Sequence, residues 1–292
     1  MVKSLIKRSH RQTVRDGYFP VKVIVTVLFA IYSLSLLACP IWAFLMSLKS
    51  QFEYITDMVS FPKEWMFSNY ITAFTELSTG GNNMFVMIFN SLWYSIGNSL
   101  AAISVTVVTA YVIAKYDFLL GKVVYWLCVM TIIIPIVNNL PSQFMLARVL
   151  GTYDTPLTII TSLGGIGFNT LLLYSFFRGI DHSYAEAAYV DGASHAQIFF
   201  KIMFPLSLTP VSALMLQHFT VLWNDSEGPM IFLPSHPTLA SGLYVYQAEA
   251  LRTLNQPVLY AGLLMASLPV VVLWIVFNKN LMSLQFGGGI KG

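Results

Sequence analysis

Six stretches of this chain run for about twenty residues with almost no charged side chain, and they constrain its fold more than any motif does. They cover about Val21 to Leu48, Phe85 to Ala114, Val123 to Phe144, Thr155 to Phe177, Leu206 to Trp223 and Val258 to Phe277. A helix of roughly 20 apolar residues crosses the ~30 Å hydrocarbon core of a bilayer. Lipid-exposed backbone must satisfy its own hydrogen bonds, so apolar runs of this length are read as helices. Hydrophobic residues make up 56% of the sequence and charged ones 10%, against about 25% charged in soluble domains. Mean hydropathy is +0.68. The expectation is an all-α integral membrane protein with six transmembrane helices.

Charge placement sets an expected orientation. With a cytoplasmic N-terminus, all of the 16 Lys and Arg residues except Lys49, Lys63, Arg148 and Arg252 fall on the cytoplasmic side. The opposite side collects Glu53, Asp57, Glu64, Glu76, Asp154, Asp225, Glu227 and Glu249. This is the positive-inside pattern, and it puts both termini in the cytoplasm. The net charge of +3 therefore reflects topology and gives no support to nucleic-acid binding. Leu36-Leu37-Ala38-Cys39 resembles a lipoprotein cleavage box, but the apolar run continues through Phe44 and is long enough to span. Cys39 and Cys128 both fall within spans and read as small buried apolar residues with no disulfide role.

Between the fourth and fifth runs lies a polar island, Asp181 to Pro205, DHSYAEAAYVDGASHAQIFFKIMFP. Ser183 with Glu186, and Ser194 with Gln197, have capping-box spacing and predict two short helices. Gly192 between them supplies the left-handed residue that ends the first. In the second helix Ile198, Phe199, Ile202 and Met203 form one apolar face. Pro205 then opens the next run.

Glu186, Ala187, Ala188, Gly192, Ile202 and Pro205 stand at the spacing of the EAA loop of ABC importer permeases. The chain resembles permease subunits of the carbohydrate-uptake class, such as those of maltose importers. Asn90-Ser91-Leu92, the stretch Ala110 to Phe118, the triplet Asp191-Gly192-Ala193 and the Gly-rich tail carry the resemblance further; Phe204 departs from the usual leucine. The resemblance implies a type I ABC importer transmembrane domain whose island is a cytoplasmic coupling helix. Glu186, Ala187, Ala188, Asp191, Gly192 and Ala193 would contact a separate ATPase. It also implies that Gly289 and Lys291 of the tail reach the same ATPase, and that the long loops Lys49 to Asn83 and Asp225 to Pro257 meet an extracytoplasmic solute-binding protein. The expected partners are a second, homologous permease, two ATPase subunits, that binding protein and the lipid membrane.

Each island residue also has a purely structural role. Glu186 completes a capping box, the alanines favour helix, and Gly192 serves any tight turn. The chain holds no GxxxxGK[ST] phosphate loop, since Gly121-Lys122 is followed by Val123. It is therefore expected to bind no cofactor and perform no catalysis, with ATP and Mg on the partner ATPase. Asn138, Asn139, Gln143, Trp223 and Asn224 are candidates for the substrate pathway, because amides and aromatic faces hold sugars; helix glue and an interfacial belt are the alternatives. His218 beside Gln217 reads as an interhelical hydrogen bond. A stand-alone secondary transporter is the competing function, but no internal repeat supports it.

The expected organisation is a cytoplasmic N-terminal tail over 1–20, a first helix with its outer loop over 21–84, a permease core over 85–282 containing the loop 181–205, and a cytoplasmic tail over 283–292. The expected cargo is an oligosaccharide or sugar derivative crossing a bacterial cytoplasmic membrane.

Overall fold

The computed structural model describes residues 19–134, 139–164, 167–253 and 255–287. The first apolar run forms one helix, α1 (Phe19–Ser47), with Pro40 inside it and only Met46 and Ser47 buried. From residue 21 to residue 42 its side chains are exposed and mostly apolar, as lipid contact requires. Cys39 is exposed on this helix, so only Cys128 fits the buried reading. After α1 come two short helices, α2 (Gln51–Thr56) and α3 (Ser68–Glu76). A two-residue antiparallel ribbon follows, β1 (Ser78–Thr79) with β2 (Asn82–Asn83).

The central element is α4 (Met84–Lys115), capped by Asn83, whose side chain accepts from the Val86 amide. Its buried face holds Asn90, Ser91, Ser95, Asn98, Ser99, Ala102, Thr106 and Ala110, a stripe repeating every three to four residues. Its outward face shows Phe85, Phe89, Leu92, Ile96, Leu100 and Val108. The small and polar side chains share the inward face with Met84, Met87, Tyr94, Ile103, Val107 and Tyr111, and the small ones allow the close approach on which packed membrane helices rely. Gly97 illustrates that closeness, since a Cβ there would lie 2.5 Å from Ile159 Cδ1.

The third run does not form one helix. It divides into α5 (Leu119–Ile133) and α6 (Leu140–Val149). Pro135 disfavours helical geometry in the residue before it, and Ile134 is extended, with φ −100° and ψ 101°. The fourth run likewise divides into a 3-10 segment, Pro156–Gly164, and α7 (Phe168–Gly179). Gly164, Gly165 and Gly167 interrupt it in sequence, where helix propensity is poorest.

The island supplies α8 (Ser183–Val190), α9 (His195–Ile198), a π-helical turn at Phe199–Met203 and α10 (Phe204–Leu206). Next come α11 (Leu208–Trp223), α12 (Glu227–Phe232), α13 (Leu239–Thr253) and the long α14 (Gln256–Gly287). The segments His195–Leu206 and Leu208–Trp223 meet at a bend of 73°. Pro205 and Pro210 flank the bend and remove two amides from the ladder. Ser207, fully buried between the arms, donates its hydroxyl to Phe204 O at 2.8 Å.

Among the described residues three helices are long and apolar enough to cross a membrane, and the bent pair makes a fourth when its arms are taken together. α4 packs on α7, α11 and the 3-10 segment, while α14 packs on α11, α13, α3 and α1. Two apolar clusters result. One joins Leu77, Met87, Phe219, Trp223, Leu239, Leu243 and Leu259 at the end of the bundle opposite the island. The other joins Val107, Tyr111, Leu173, Phe177, Ala188, Ile198, Phe199 and Met203 beneath the island.

Candidate functional site

The island begins with Asp181, whose carboxylate accepts from the Ser183 amide at 2.9 Å. That backbone bond, more than any other influence, holds its carboxyl below the usual carboxylate range. The predicted Ser183 and Glu186 capping box does not form. α8 starts one residue earlier than that pattern requires, with His182 as N-cap and no side-chain cap bond. Asp181 takes the Ser183 amide in an Asx turn, and the Glu186 amide donates to His182 O at 3.1 Å. The second predicted box does form: Ser194 Oγ accepts from the Gln197 amide at 3.3 Å, and Gln197 Oε1 from the Ser194 amide at 2.8 Å.

Between the helices Gly192 has φ +79°. The Ala193 amide donates to Ala188 O at 2.9 Å and the Gly192 amide to Tyr189 O at 3.0 Å. This pair of bonds is a Schellman closure, and it depends on a left-handed residue at Gly192. Among the described residues, nothing lies within 4 Å of where a Gly192 Cβ would sit. The backbone angle therefore demands glycine here, and crowding does not.

Six residues were expected to make one contact surface, and the structure divides them. Glu186, Ala187, Asp191 and Gly192 are exposed, and Ala193 is half-buried. Ala188 is buried in the cluster beneath the island, so it anchors the helix and has no outward face. Tyr184, Val190 and Phe200 join the exposed set, and Val190 is 87% exposed. These three were missed in the sequence, and the signal for them was an apolar residue off the buried face of each short helix.

The island is tied to α4 at two points. Lys115 Nζ donates to Ile180 O at 2.6 Å. His195 Nδ1 lies 2.8 Å from the Tyr116 hydroxyl and also bonds the Tyr189 hydroxyl. Burial pushes the Tyr116 and Tyr189 hydroxyls up from their ordinary pKa.

At the opposite end, Asn90 Nδ2 donates to Pro237 O at 3.0 Å and Ser91 Oγ accepts from the Leu239 amide at 2.7 Å. The residues singled out in sequence as opening a span therefore clamp the 225–257 loop. Asp154 accepts from the Ser235 amide and hydroxyl and lies 3.5 Å from His236. Asp225 accepts from the Tyr94 hydroxyl at 3.1 Å and the Gly228 amide at 2.9 Å. His218, deep in α11, lies 3.3 Å from Ser99 Oγ, the interhelical bond expected of it.

The pathway candidates do not converge. Gln143 lines a cavity of about 430 Å³ with Tyr94, Asn98, Thr158, Thr161 and Asp225. Trp223 and Asn224 border a different one, about 260 Å³, with Tyr244 and Gln247. Trp223 donates its indole N–H to Ala266 O, and Asn224 donates to Thr220 O. Asn139 is exposed at the N-cap of α6 and lines neither cavity. Asn138, Gly289 and Lys291 lie outside the described residues. Asp225 and Tyr94 were missed because they stand 131 residues apart and only the fold brings them together.

A family model described as binding-protein-dependent transport system inner membrane component matches residues 102–281. The chain is 25% identical over 258 residues to the diacetylchitobiose uptake system permease protein NgcG of Streptomyces coelicolor, covering 87% of this chain and 84% of that one. It is 30% identical over 255 residues to the melibiose/raffinose/stachyose import permease protein MelC of Bacillus subtilis, covering 84% and 88%. Its fold is similar to a chain in the crystal structure of a bacterial ABC transporter involved in the import of the acidic polysaccharide alginate. There the TM-score is 0.76 at 24% identity, over 90% of this chain and 97% of that one.

Proposed function

Since the chain belongs to the family of binding-protein-dependent transport system inner membrane components, we propose that it forms half of the transmembrane pathway of an ATP-driven sugar importer. A second, homologous permease completes the pathway, because one such bundle encloses only part of it. The six apolar runs are six spans, with the broken third and fourth runs each crossing as two segments, and both termini are cytoplasmic. The proposed cargo is an oligosaccharide or sugar derivative, a reading supported by relatives named for diacetylchitobiose and for melibiose, raffinose and stachyose.

The 181–205 island is the coupling element in this reading. Glu186, Ala187, Asp191, Gly192 and Ala193 meet the ATPase, and Ala188 holds the island to the bundle. Gly289 and Lys291 are a second contact. The observation that carries the assignment is the left-handed Gly192 closure between α8 and α9, which locks two short helices into one body with an exposed outer face. ATP and Mg sit on two partner ATPase subunits. Nucleotide-driven closure of those subunits pushes the island and turns the bundle outward to receive ligand from the binding protein, an alternating-access cycle. Gln143, Trp223 and Asn224 contribute to the pathway from two separate cavities, with Asn138 and Asn139 nearby in sequence.

The test is affinity purification of the full chain from its native membrane in mild detergent. Recovery with an ATPase and a second permease is the expected result. Repeated recovery of the folded chain alone overturns the assignment. With the complex in hand, a panel of glycans tested for stimulation of ATP hydrolysis in the presence of the binding protein identifies the cargo.

A further inference from the structure

Beside the island, a cavity of about 520 Å³ opens between the end of α4, the start of α5 and the end of α7. Lys115, Lys122, Arg178 and His182 line it, and among the described residues Asp117 is the one acidic side chain in its wall. Lys122 pairs with Asp117 at 3.0 Å, both side chains being largely exposed. Asp181 lies near Lys115 and offsets part of its charge. Two of the cations are held in place by neutral groups. Lys115 donates to Ile180 O, and Arg178 lies over the Tyr174 ring, 5.8 Å from its centroid, while donating to the Tyr174 hydroxyl. Held cations with donor capacity to spare form a pocket for an anion.

The rim of the cavity differs from its floor. Tyr125 and Trp126 stand there, and the exposed face of α5 continues from it through Leu119, Val123, Leu127 and Met130. These residues recur at helical spacing on one side of α5. Aromatic residues of this kind gather at the headgroup level of a membrane, and an apolar stripe leading away from them is acyl-chain surface.

We propose that this cavity binds the phosphate headgroup of an anionic phospholipid, whose acyl chains lie along the exposed face of α5. A soluble phosphate would use the floor alone and leave the adjoining stripe unexplained. The inference needs only that the chain is embedded in a membrane, and it stands whether or not the island couples to an ATPase. Because Lys115 also holds Ile180 at the base of the island, an occupied site braces α4 against α7.

The test uses the purified full chain in nanodiscs of phosphatidylcholine containing a minor fraction of phosphatidylglycerol, with retained lipids read by native mass spectrometry. The wild type should retain phosphatidylglycerol selectively. Lys122→Gln with Arg178→Gln should lower that selectivity about 25-fold, roughly fivefold for each cation lost near an anionic headgroup, and leave phosphatidylcholine retention unchanged. Lys122→Gln alone, at a side chain 67% exposed, should give about fivefold and serves if the double variant does not fold. Equal retention of the two lipids by the wild type overturns the proposal, as does undiminished selectivity in a folded variant. Displacement of phosphatidylglycerol by millimolar inorganic phosphate also overturns it, in favour of a soluble anion.

Discussion

The two ends of the bundle are built on different plans. Opposite the island, distant parts of the chain are tied by polar bonds. Asn69 Nδ2 donates to both Ser47 O and Lys49 O, Thr79 Oγ1 to Gly242 O, Asn90 to Pro237 O, and the Gln256 amide to Gln51 Oε1. Lys49 is fully buried there, with Nζ on Asp57 O. At the island end the bonds that shape the helices are local: Asp181 to Ser183, Ser194 to Gln197, and the closure around Gly192. One end is finished by contacts within the chain. The other is seated on an apolar cluster and pinned to α4 through Lys115 and Tyr116, with its outer face turned away from the bundle.

That contrast predicts separable failures. The largest effect expected is at the cross-tied end: Asn69→Ala leaves two buried carbonyls without a donor, at about 1–3 kcal/mol each. Thermal melting in detergent should drop by several degrees, while amide exchange across 183–203 stays as in the wild type. Faster exchange in the island would show that the ends are not independent. Gly192→Val comes next, because a left-handed backbone costs a branched residue about 1–2 kcal/mol or more. It should lower ATPase co-purification and uptake roughly tenfold with membrane insertion intact, whereas Gly192→Asn, which tolerates that region, should keep most of both. Uptake in Gly192→Val equal to the wild type would break the assignment of the island.

Ser194→Ala removes one half of the capping box and should cost about 1 kcal/mol of local stability, read as faster amide exchange at 195–198 with no change in melting of the opposite end. The smallest effect is acid dependence at Asp181. Its carboxyl titrates below the ordinary carboxylate range, held down by the Ser183 amide. The charge therefore steadies the turn at any pH above the ordinary carboxylate pKa and ceases to do so as the pH falls through the depressed value. Asp181→Asn should remove that acid-sensitive step from the exchange of Ser183 while changing little at neutral pH. An identical acid step in the variant would assign it to another group.

What the sequence disclosed follows from which physical rule governed each region. The runs Phe85 to Ala114 and Val258 to Phe277 read correctly as long helices because length and apolarity decide that outcome alone. Gly192 and the Ser194–Gln197 box were legible because turn chemistry is local. The Ser183 box failed because Asp181, two residues upstream, takes the Ser183 amide and His182 O takes the Glu186 amide, and a spacing rule does not rank competitors. Pro135 signals a kink in the third run by itself, whereas the break in the fourth run was hidden by uniform hydropathy, although Gly164, Gly165 and Gly167 marked where it falls. The Asp225–Tyr94 bond and the Asp154 contacts with Ser235 and His236 were invisible, since the partners lie far away in sequence. Ala187 and Ala188 are identical to the eye, and only the packing of α8 shows that the second faces inward.

If the island is pushed as proposed, the bend at Ser207 sets what that push accomplishes. With 73° between its arms, a thrust delivered lengthwise along the first arm arrives almost crosswise at the second. A straight rod would drive the fifth apolar run like a piston, against every side chain that grips it. Under the proposed coupling, a bell crank of this kind would swing instead, turning a short stroke at the island into a sideways sweep at the level where His218 meets Ser99.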